Sequence, residues 1–145
     1  MTEREESLHL LEQELGVLIR RIKRVIAERA RMVHPDLPPP SYLVLGWIAE
    51  QGPLRASALV EEFAVDKAAV SRQVQHLEEL GLVERTADPD DGRASLLSAS
   101  ADAVRRLRKV EVARRGLLDE RLADWTAEEL ERFATELARY NATLA

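Results

Sequence analysis

The 145-residue sequence contains no cysteine and no continuous apolar run long enough to cross a membrane. Without cysteine, the chain can form neither disulfides nor thiolate metal sites, and it cannot sense oxidants through a thiol. The first residues, Met1 to Glu6, are acidic and lack the apolar stretch of a signal peptide. Together these absences predict a cytoplasmic protein.

Sequence motifs of catalysis and of metal binding are missing as well. The chain has no glycine-rich phosphate loop and no nucleophile elbow. The three histidines, His9, His34 and His76, lie far apart and form no metal-spaced pair, which leaves open only a zinc site assembled by the fold. The sequence therefore predicts a protein that is not an enzyme and that needs no cofactor.

The charges of the chain are strongly segregated, although the formal net charge is only −5. Residues 20–34 carry +5 and residues 99–118 carry +4, whereas residues 54–98 carry −4. The local potential, more than the net charge, decides where a polyanion binds. The acidic middle segment still argues against a nucleic-acid binder, because such domains are often basic.

The apolar residues of the first segment are spaced for one long helix. Intervals of 3, 4, 3, 4 and 3 residues separate Leu8, Leu11, Leu15, Leu18, Ile22 and Val25. This heptad seam predicts a helix from about Glu5 to Val33. A seam of this length favours a partner helix that covers it, and packing on the chain's own domain is the alternative.

A proline-rich segment, residues 34–40, is expected to end this helix. Ser41 is then expected to cap a helix over residues 42–51, and Gly52-Pro53 ends it. In this interpretation all six prolines lie in connections. The apolar residues of this second helix that should be largely buried are Leu43, Leu45, Trp47 and Ile48.

Two shorter helices are predicted next. Ser57 can cap residues 58–63, and Asp66 can cap residues 67–80, with Gly81 as the C-terminal stop. The link between the two helices has about the length of the turn in a helix-turn-helix.

A β-hairpin and two further helices complete the predicted elements. Residues 82–87 and 94–99 are expected to be strands joined by the charged loop Asp88 to Arg93, a wing. Ser100 can begin a helix over 101–125, and Thr126 can begin the last one. The apolar seam of the last helix again alternates intervals of 3 and 4 residues, through Leu130, Phe133, Leu137, Tyr140 and Leu144.

The helix over residues 67–80 has one apolar side and one side suited to a DNA groove. At about 100° per residue, Val70, Val74 and Leu77 fall on the core side. Small residues on the opposite side permit close approach, Arg can pair with guanine or a phosphate, and Gln can pair with adenine. The residues expected to contact DNA from this helix are Lys67, Ala69, Ser71, Arg72 and Gln75, with Arg72 ranked first and His76 and Glu79 ranked lower.

The wing contains a second candidate, Arg93, beside the carboxylates of Asp88, Asp90 and Asp91. We expect Asp91 to orient the Arg93 guanidinium so that it can enter a minor groove, where negative potential is concentrated. The alternative for Arg93 is a weak ion pair that stabilises the turn. The alternative for each helix residue is an ordinary solvated side chain.

The fold predicted from these elements is mainly α with a small β-hairpin wing (α+β), a winged helix-turn-helix in an all-helical dimerisation frame. Residues 41–99 would form the DNA-binding domain. Residues 1–34 and 100–145 would form the helical dimerisation region.

Three stretches of the chain resemble the MarR (multiple antibiotic resistance regulator) family. They are Asp66–Arg72 (DKAAVSR), His76–Arg85 (HLEELGLVER) and Asp88–Arg93 (DPDDGR). The resemblance implies a homodimer with interlocked terminal helices, recognition helices in major grooves and wings in minor grooves. By position, Arg72 matches a DNA-contacting arginine of the family, and Arg93 matches the wing arginine with Asp91 as its partner.

The resemblance also implies a cleft for a small aromatic effector, as in many relatives. In this chain the cleft would lie near His34, Tyr42, Trp47 and the start of the helix after Ser100. Core packing explains Tyr42 and Trp47 equally well and is preferred.

The function expected is a ligand-responsive repressor that binds a pseudo-palindromic operator in duplex DNA as a homodimer. The alternative is a winged-helix module that binds protein and not DNA, which the acidic middle segment favours.

Overall fold

A computed structural model describes all 145 residues. Its elements in chain order are α1 (Glu3–Val33), α2 (Pro39–Gln51), α3 (Ala56–Phe63), α4 (Lys67–Glu79), β1 (Val83–Asp88), β2 (Asp91–Ala99), α5 (Ala101–Arg121) and α6 (Ala127–Ala142). The predicted class, a mainly helical fold with one two-stranded antiparallel hairpin, is therefore confirmed. The chain divides into two compact units, Met1–Val110 and Glu111–Ala145.

The first unit has its hydrophobic core in the segment from α2 to β2, which we call the winged lobe (residues 34–100). Its fully buried side chains come from the three helices, from β2 and from the residue before β1, and they include Leu45, Ile48, Leu59, Val70, Val74, Leu77, Leu82 and Leu97. The end of α1 adds Ala30 and Val33 to this core, and the start of α5 adds Ala103. The lobe is thus packed within one chain.

Local capping positions several of these elements as the sequence predicts. The Asp66 side chain accepts a hydrogen bond from the Ala69 amide at 2.7 Å, and Ser100 accepts one from Ala103 at 3.1 Å. Thr126 accepts one from the Glu129 amide. Each side chain satisfies one of the donors that the first turn of a helix leaves unpaired.

Two helix starts differ from the prediction. α2 begins at Pro39, so Ser41 does not cap it but lies buried inside its first turn. Proline is favourable at a first helical position because the amide it lacks would have no partner there. Pro39 and Pro40 are therefore helical and not in a connection. Similarly, α3 begins at Ala56 with Arg55 at its cap position, and Ser57 is inside the helix.

Two further differences concern exposure and length. Leu43 was expected in the core but is 44% exposed, because it lies on the outer side of α2. α5 ends at Arg121 and not near Trp125. β1 is shifted by one residue and β2 begins three residues earlier than predicted, so that only Pro89 and Asp90 lie between the strands.

Two glycines fix the ends of helices beside the hairpin. Gly81 has a φ of +73°, a left-handed conformation that favours glycine, and it ends the turn after α4. At Gly52, a Cβ atom would lie 2.5 Å from the Ile48 carbonyl oxygen and 3.1 Å from that of Leu97. A side chain at residue 52 would therefore force α2 and β2 apart.

Candidate nucleic-acid interface

Helix α4 is held in the lobe with one face outward. Val70, Val74 and Leu77 are buried, as predicted, and they fix the rotation of the helix about its axis. The hydrogen bond from the Ala69 amide to Asp66 fixes its first turn.

The opposite face of α4 carries the exposed residues Lys67, Ser71, Arg72 and Gln75. Arg72 and Lys67 form no ion pair within the chain, so their charges are available to an external anion. Ala69 is half-buried in the first turn. The structure thus places four of the five sequence-predicted residues of this helix on one open surface.

Two further polar residues of α4, His76 and Gln73, are half-buried. His76 Nε2 donates to the Asp36 carbonyl oxygen at 3.1 Å, which joins α4 to the segment between α1 and α2. The Gln73 side-chain oxygen is buried and has no hydrogen-bond partner. The contact of His76 within the lobe agrees with a contact surface centred on the first half of α4.

The tip of the hairpin, residues 88–93, is organised by carboxylates that accept backbone amides. Asp88 Oδ1 accepts from the Asp90 amide at 2.9 Å, and Asp91 Oδ1 accepts from the Arg93 amide at 3.0 Å. The Asp91 carboxylate therefore holds the Arg93 backbone, and not the guanidinium as the sequence suggested. The Arg93 side chain is exposed and forms no ion pair within the chain.

An ion pair that sequence reasoning missed joins the wing to the start of α3. Nε and Nη2 of Arg55 lie 2.8 and 2.6 Å from Asp88 Oδ2. Asp88 is only 7% exposed, whereas Arg55 is 46% exposed. The two residues are 33 positions apart, and no local pattern connects them.

The hydrogen bond from the Asp90 amide, followed by that from Arg55, holds the pKa of Asp88 below its ordinary value. Asp88 is therefore ionised at neutral pH. Its contribution to stability is present above the ordinary aspartate pKa of about 3.9 and is lost as the pH falls through the lower folded-state value.

The side chain of Arg85 makes a second connection between the hairpin and the helices. Its Nε lies 2.6 Å from Glu78 Oε1 of α4, and its Nη1 donates to Ser95 at 3.1 Å. Main-chain hydrogen bonds between Leu54 and Leu97, at 3.1 and 2.7 Å, attach β2 to the segment before α3. The hairpin is thus anchored along its length and, through Arg55, at its tip.

The structure gives each of the three residues expected at an effector cleft its own contacts. Tyr42 is buried in the core, and Trp47 packs edge-on against Phe63 with ring centroids 6.5 Å apart. His34 Nδ1 accepts a hydrogen bond from the Asp36 amide at 3.0 Å. Tyr42 is thus part of the hydrophobic core and Trp47 packs against it, which agrees with the core-packing interpretation.

An open pocket of about 310 Å³ nevertheless lies close to the expected place, between the end of α1 and the start of α5. Asp102 pairs with both Arg105 and Arg106, and Arg106 Nη1 also donates to the Val33 carbonyl oxygen at 2.8 Å. Lys109 forms no ion pair within the chain. The lining residues are Met32, Val33, Asp102, Arg105, Arg106 and Lys109, which make the pocket basic.

The terminal helices expose their apolar seams. In α1, Leu15 and Val25 are half-buried, while Leu8, Leu11, Leu18 and Ile22 are exposed. In α6 no residue is buried, and Phe133 is 56% exposed. No helix of the chain is long and apolar enough to span a membrane.

The features described so far define a winged helix-turn-helix protein. A sequence model of the MarR family matches residues 36–94, which span α2 to the first part of β2. The chain is 34% identical over 134 residues to an uncharacterized HTH-type transcriptional regulator, YxaD, of Bacillus subtilis, covering 92% of each protein. The chain belongs to the MarR family of transcriptional regulators, as the resemblance predicted.

Two solved structures extend the comparison. A MarR-family regulator from Listeria monocytogenes in complex with a 26mer DNA is 17% identical, with a TM-score of 0.75, covering 91% of this chain and 87% of that one. The PcaV regulator from Streptomyces coelicolor, in complex with its natural ligand, is 26% identical, with a TM-score of 0.64 and coverage of 90% and 93%. The first of these likenesses concerns the fold alone.

Proposed function

We propose that this protein is a transcriptional repressor that binds a pseudo-palindromic operator as a homodimer and releases it in response to a small ligand. The observation that carries the proposal is that the open face of α4, with Arg72, and the wing, with Arg93, belong to one lobe with a shared hydrophobic core. A recognition helix in a major groove and a basic side chain in the adjacent minor groove together read both base edges and groove shape. The Listeria relative in complex with DNA supports this assignment.

The acidic charge of the lobe does not prevent such a contact. Arg72, Arg93 and Lys67 are exposed without partners, whereas Asp88 is paired with Arg55 and Glu78 with Arg85. Two of the carboxylates closest to the wing and α4 are thus already neutralised. Each pair also uses one cation, so the lobe stays net acidic, and the contact rests on the exposed charges of Arg72, Arg93 and Lys67 at the contact face itself.

The homodimer accounts for the uncovered seams of α1 and α6. A second copy offers two equally long apolar surfaces in a symmetric arrangement. The dimer would then hold two recognition helices about one turn of DNA, ~34–36 Å, apart, which is the spacing that a pseudo-palindromic operator requires. Residues 1–34 and 100–145 are in this proposal the dimerisation region.

The ligand response is assigned to the basic pocket between α1 and α5. Arg105, Arg106 and Lys109 suit an anionic group on the effector, and Met32 supplies an apolar wall. The pocket lies where the chain enters and leaves the winged lobe, so a ligand there can favour a lobe position that does not fit both half-sites. PcaV, solved with its natural ligand, is a relative in which a ligand is bound.

The proposal is tested by the affinity of the Arg72→Ala protein for the DNA that flanks its own gene. We expect a loss of about 1–3 kcal/mol of binding free energy and a weaker base preference, because the arginine that would pair with a base is replaced by a methyl group. Arg108→Ala is the matched control, since it removes the same charge from an exposed side chain outside the winged lobe. Equal affinities for the two variants would reject the assigned role of α4.

The competing protein-binding function predicts a different salt response. A DNA-binding dimer loses affinity steeply as salt rises, because bound phosphates release counterions. Absence of any retention on duplex DNA at low salt would favour the protein-binding module, for which the acidic residues 54–98 are the argument.

A further inference from the structure

The wing is locked to the helix-turn-helix by the ion pair between Arg55 and Asp88. We propose that Arg55 is a positioning residue for DNA binding: through Asp88 it holds the hairpin tip, and hence Arg93, in the place where the wing and α4 can contact one duplex together. This inference rests on the proposed function and assigns a role to a residue outside the expected contact surface.

The geometry gives each oxygen of Asp88 a separate task. Oδ1 accepts the Asp90 amide and shapes the turn, while Oδ2 accepts both Nε and Nη2 of Arg55. The position of the tip residues that follow, up to Arg93, therefore depends on a carboxylate that is paired with the residue at the start of α3. A buried carboxylate needs such partners, since desolvation penalises an unpaired charge.

A two-stranded hairpin needs this attachment more than a larger sheet does. An isolated hairpin is marginally stable in water, and this one has no third strand to hold its tip. Ordering a mobile segment upon binding costs free energy, which a preorganised tip avoids. The strand register is irregular between the Ala87–Ser95 pair and the Asp88–Asp91 pair, and in this stretch the Arg93 amide donates to Asp91 Oδ1.

The positioning role predicts a change in operator affinity on loss of the Asp88 charge that is opposite to the one expected from electrostatic repulsion alone. Loss of a negative charge near bound DNA should strengthen binding, because one repulsion is removed. Asp88→Asn retains an oxygen for the Asp90 amide but loses the ion pair, so we expect it to weaken operator affinity about 2- to 10-fold. Asp90→Asn, whose side chain has no ion-pair partner, is the matched control and should strengthen affinity about twofold.

A double-mutant cycle separates positioning from direct contact. Arg55→Gln should weaken affinity about 2- to 10-fold alone, and by less than about twofold in an Arg93→Ala background, because its effect is transmitted through the wing. Arg55→Lys should recover part of the loss. Additive losses from Arg55→Gln and Arg93→Ala would mean that Arg55 contacts DNA directly, and they would overturn the proposal.

Two measurements keep the outcome clear. Thermal unfolding checks that each variant is folded. Amide exchange at residues 90–93 should increase in Arg55→Gln but not in Arg85→Gln, which removes an equally charged side chain that pairs with Glu78 and not with the hairpin tip. Suppose that the wild-type protein binds DNA and that Arg72→Ala weakens this binding. If Asp88→Asn and Asp90→Asn then both strengthen it, the positioning role of Arg55 is wrong and the proposed function stands. If wild-type protein binds no duplex, the proposed function itself fails.

Discussion

The winged lobe and the C-terminal unit (Glu111–Ala145) use the same kinds of residue in opposite ways. In the lobe, the apolar positions of α4 are covered by α2, α3 and the hairpin, and Val74 and Leu77 are fully buried. In the C-terminal unit, α6 has an equally regular apolar seam, yet Phe133 is 56% exposed and Leu137 is 40% exposed. An amphipathic pattern therefore predicts a helix, but it does not tell which molecule covers the apolar face.

Monomeric proteins rarely leave large contiguous apolar patches exposed. The contrast between the two regions thus separates a part of the chain that packs alone from a part that needs a second molecule. In the proposed homodimer, that molecule is another copy of the same chain.

The largest expected effect is on the stability of the winged lobe, the region that packs within one chain. Leu77→Ala should lower the free energy of unfolding by about 2–5 kcal/mol, because it removes a fully buried side chain and leaves a cavity. Urea unfolding followed by circular dichroism measures the change. Leu43→Ala in the same lobe is the control, and its 44% exposure predicts a much smaller loss. Equal losses would show that the lobe is not packed as described.

A charge in the apolar seam of α6 tests whether the C-terminal unit is covered by a second copy of the chain. Phe133→Asp should raise the dissociation constant of the dimer by at least about 30-fold, since a buried aromatic anchor of an interface typically contributes 2 kcal/mol or more. Sedimentation velocity over a range of concentrations measures it. Thr135→Asp adds the same charge about 200° around the helix and should leave the dimer intact. A dimer insensitive to Phe133→Asp would exclude α6 from the interface.

The smallest effects are expected from removing the N-terminal caps of α4 and α6. Asp66→Ala and Thr126→Ala each remove one hydrogen bond from a helix N-terminus and should cost about 1 kcal/mol. The loss at Asp66 should appear in the stability of the winged lobe and in operator affinity, with an unchanged dimer dissociation constant. The loss at Thr126 should instead raise that constant. The opposite distribution would contradict the division of roles between the two regions.

Features set by neighbouring residues could be predicted from the sequence. The caps at Asp66, Ser100 and Thr126, the stop at Gly81 and the buried stripe of α4 depend on residues at most four positions apart, and the structure confirms them. The start of α2 was misplaced because Ser41 is a good cap in isolation, whereas a helix can equally begin with proline at its first position.

Features set by distant residues could not be predicted. Arg55 and Asp88 are 33 positions apart, and His76 and Asp36 are 40 apart, so neither contact leaves a periodic trace in the sequence. The same reason explains the pocket beside α5. Its position near Val33 followed from the family resemblance, but its basic lining by Arg105, Arg106 and Lys109 depends on how two helix ends meet.

The hydrogen bond from Arg106 to the Val33 carbonyl has a consequence for protein engineering. It joins the end of α1, where the chain enters the winged lobe, to the second turn of α5, soon after the chain leaves the lobe. A module whose two junctions are adjacent can be exchanged as a cassette without respacing the rest of the scaffold. Chimaeras that graft a lobe of different operator preference between α1 and α5 have their natural splice points here.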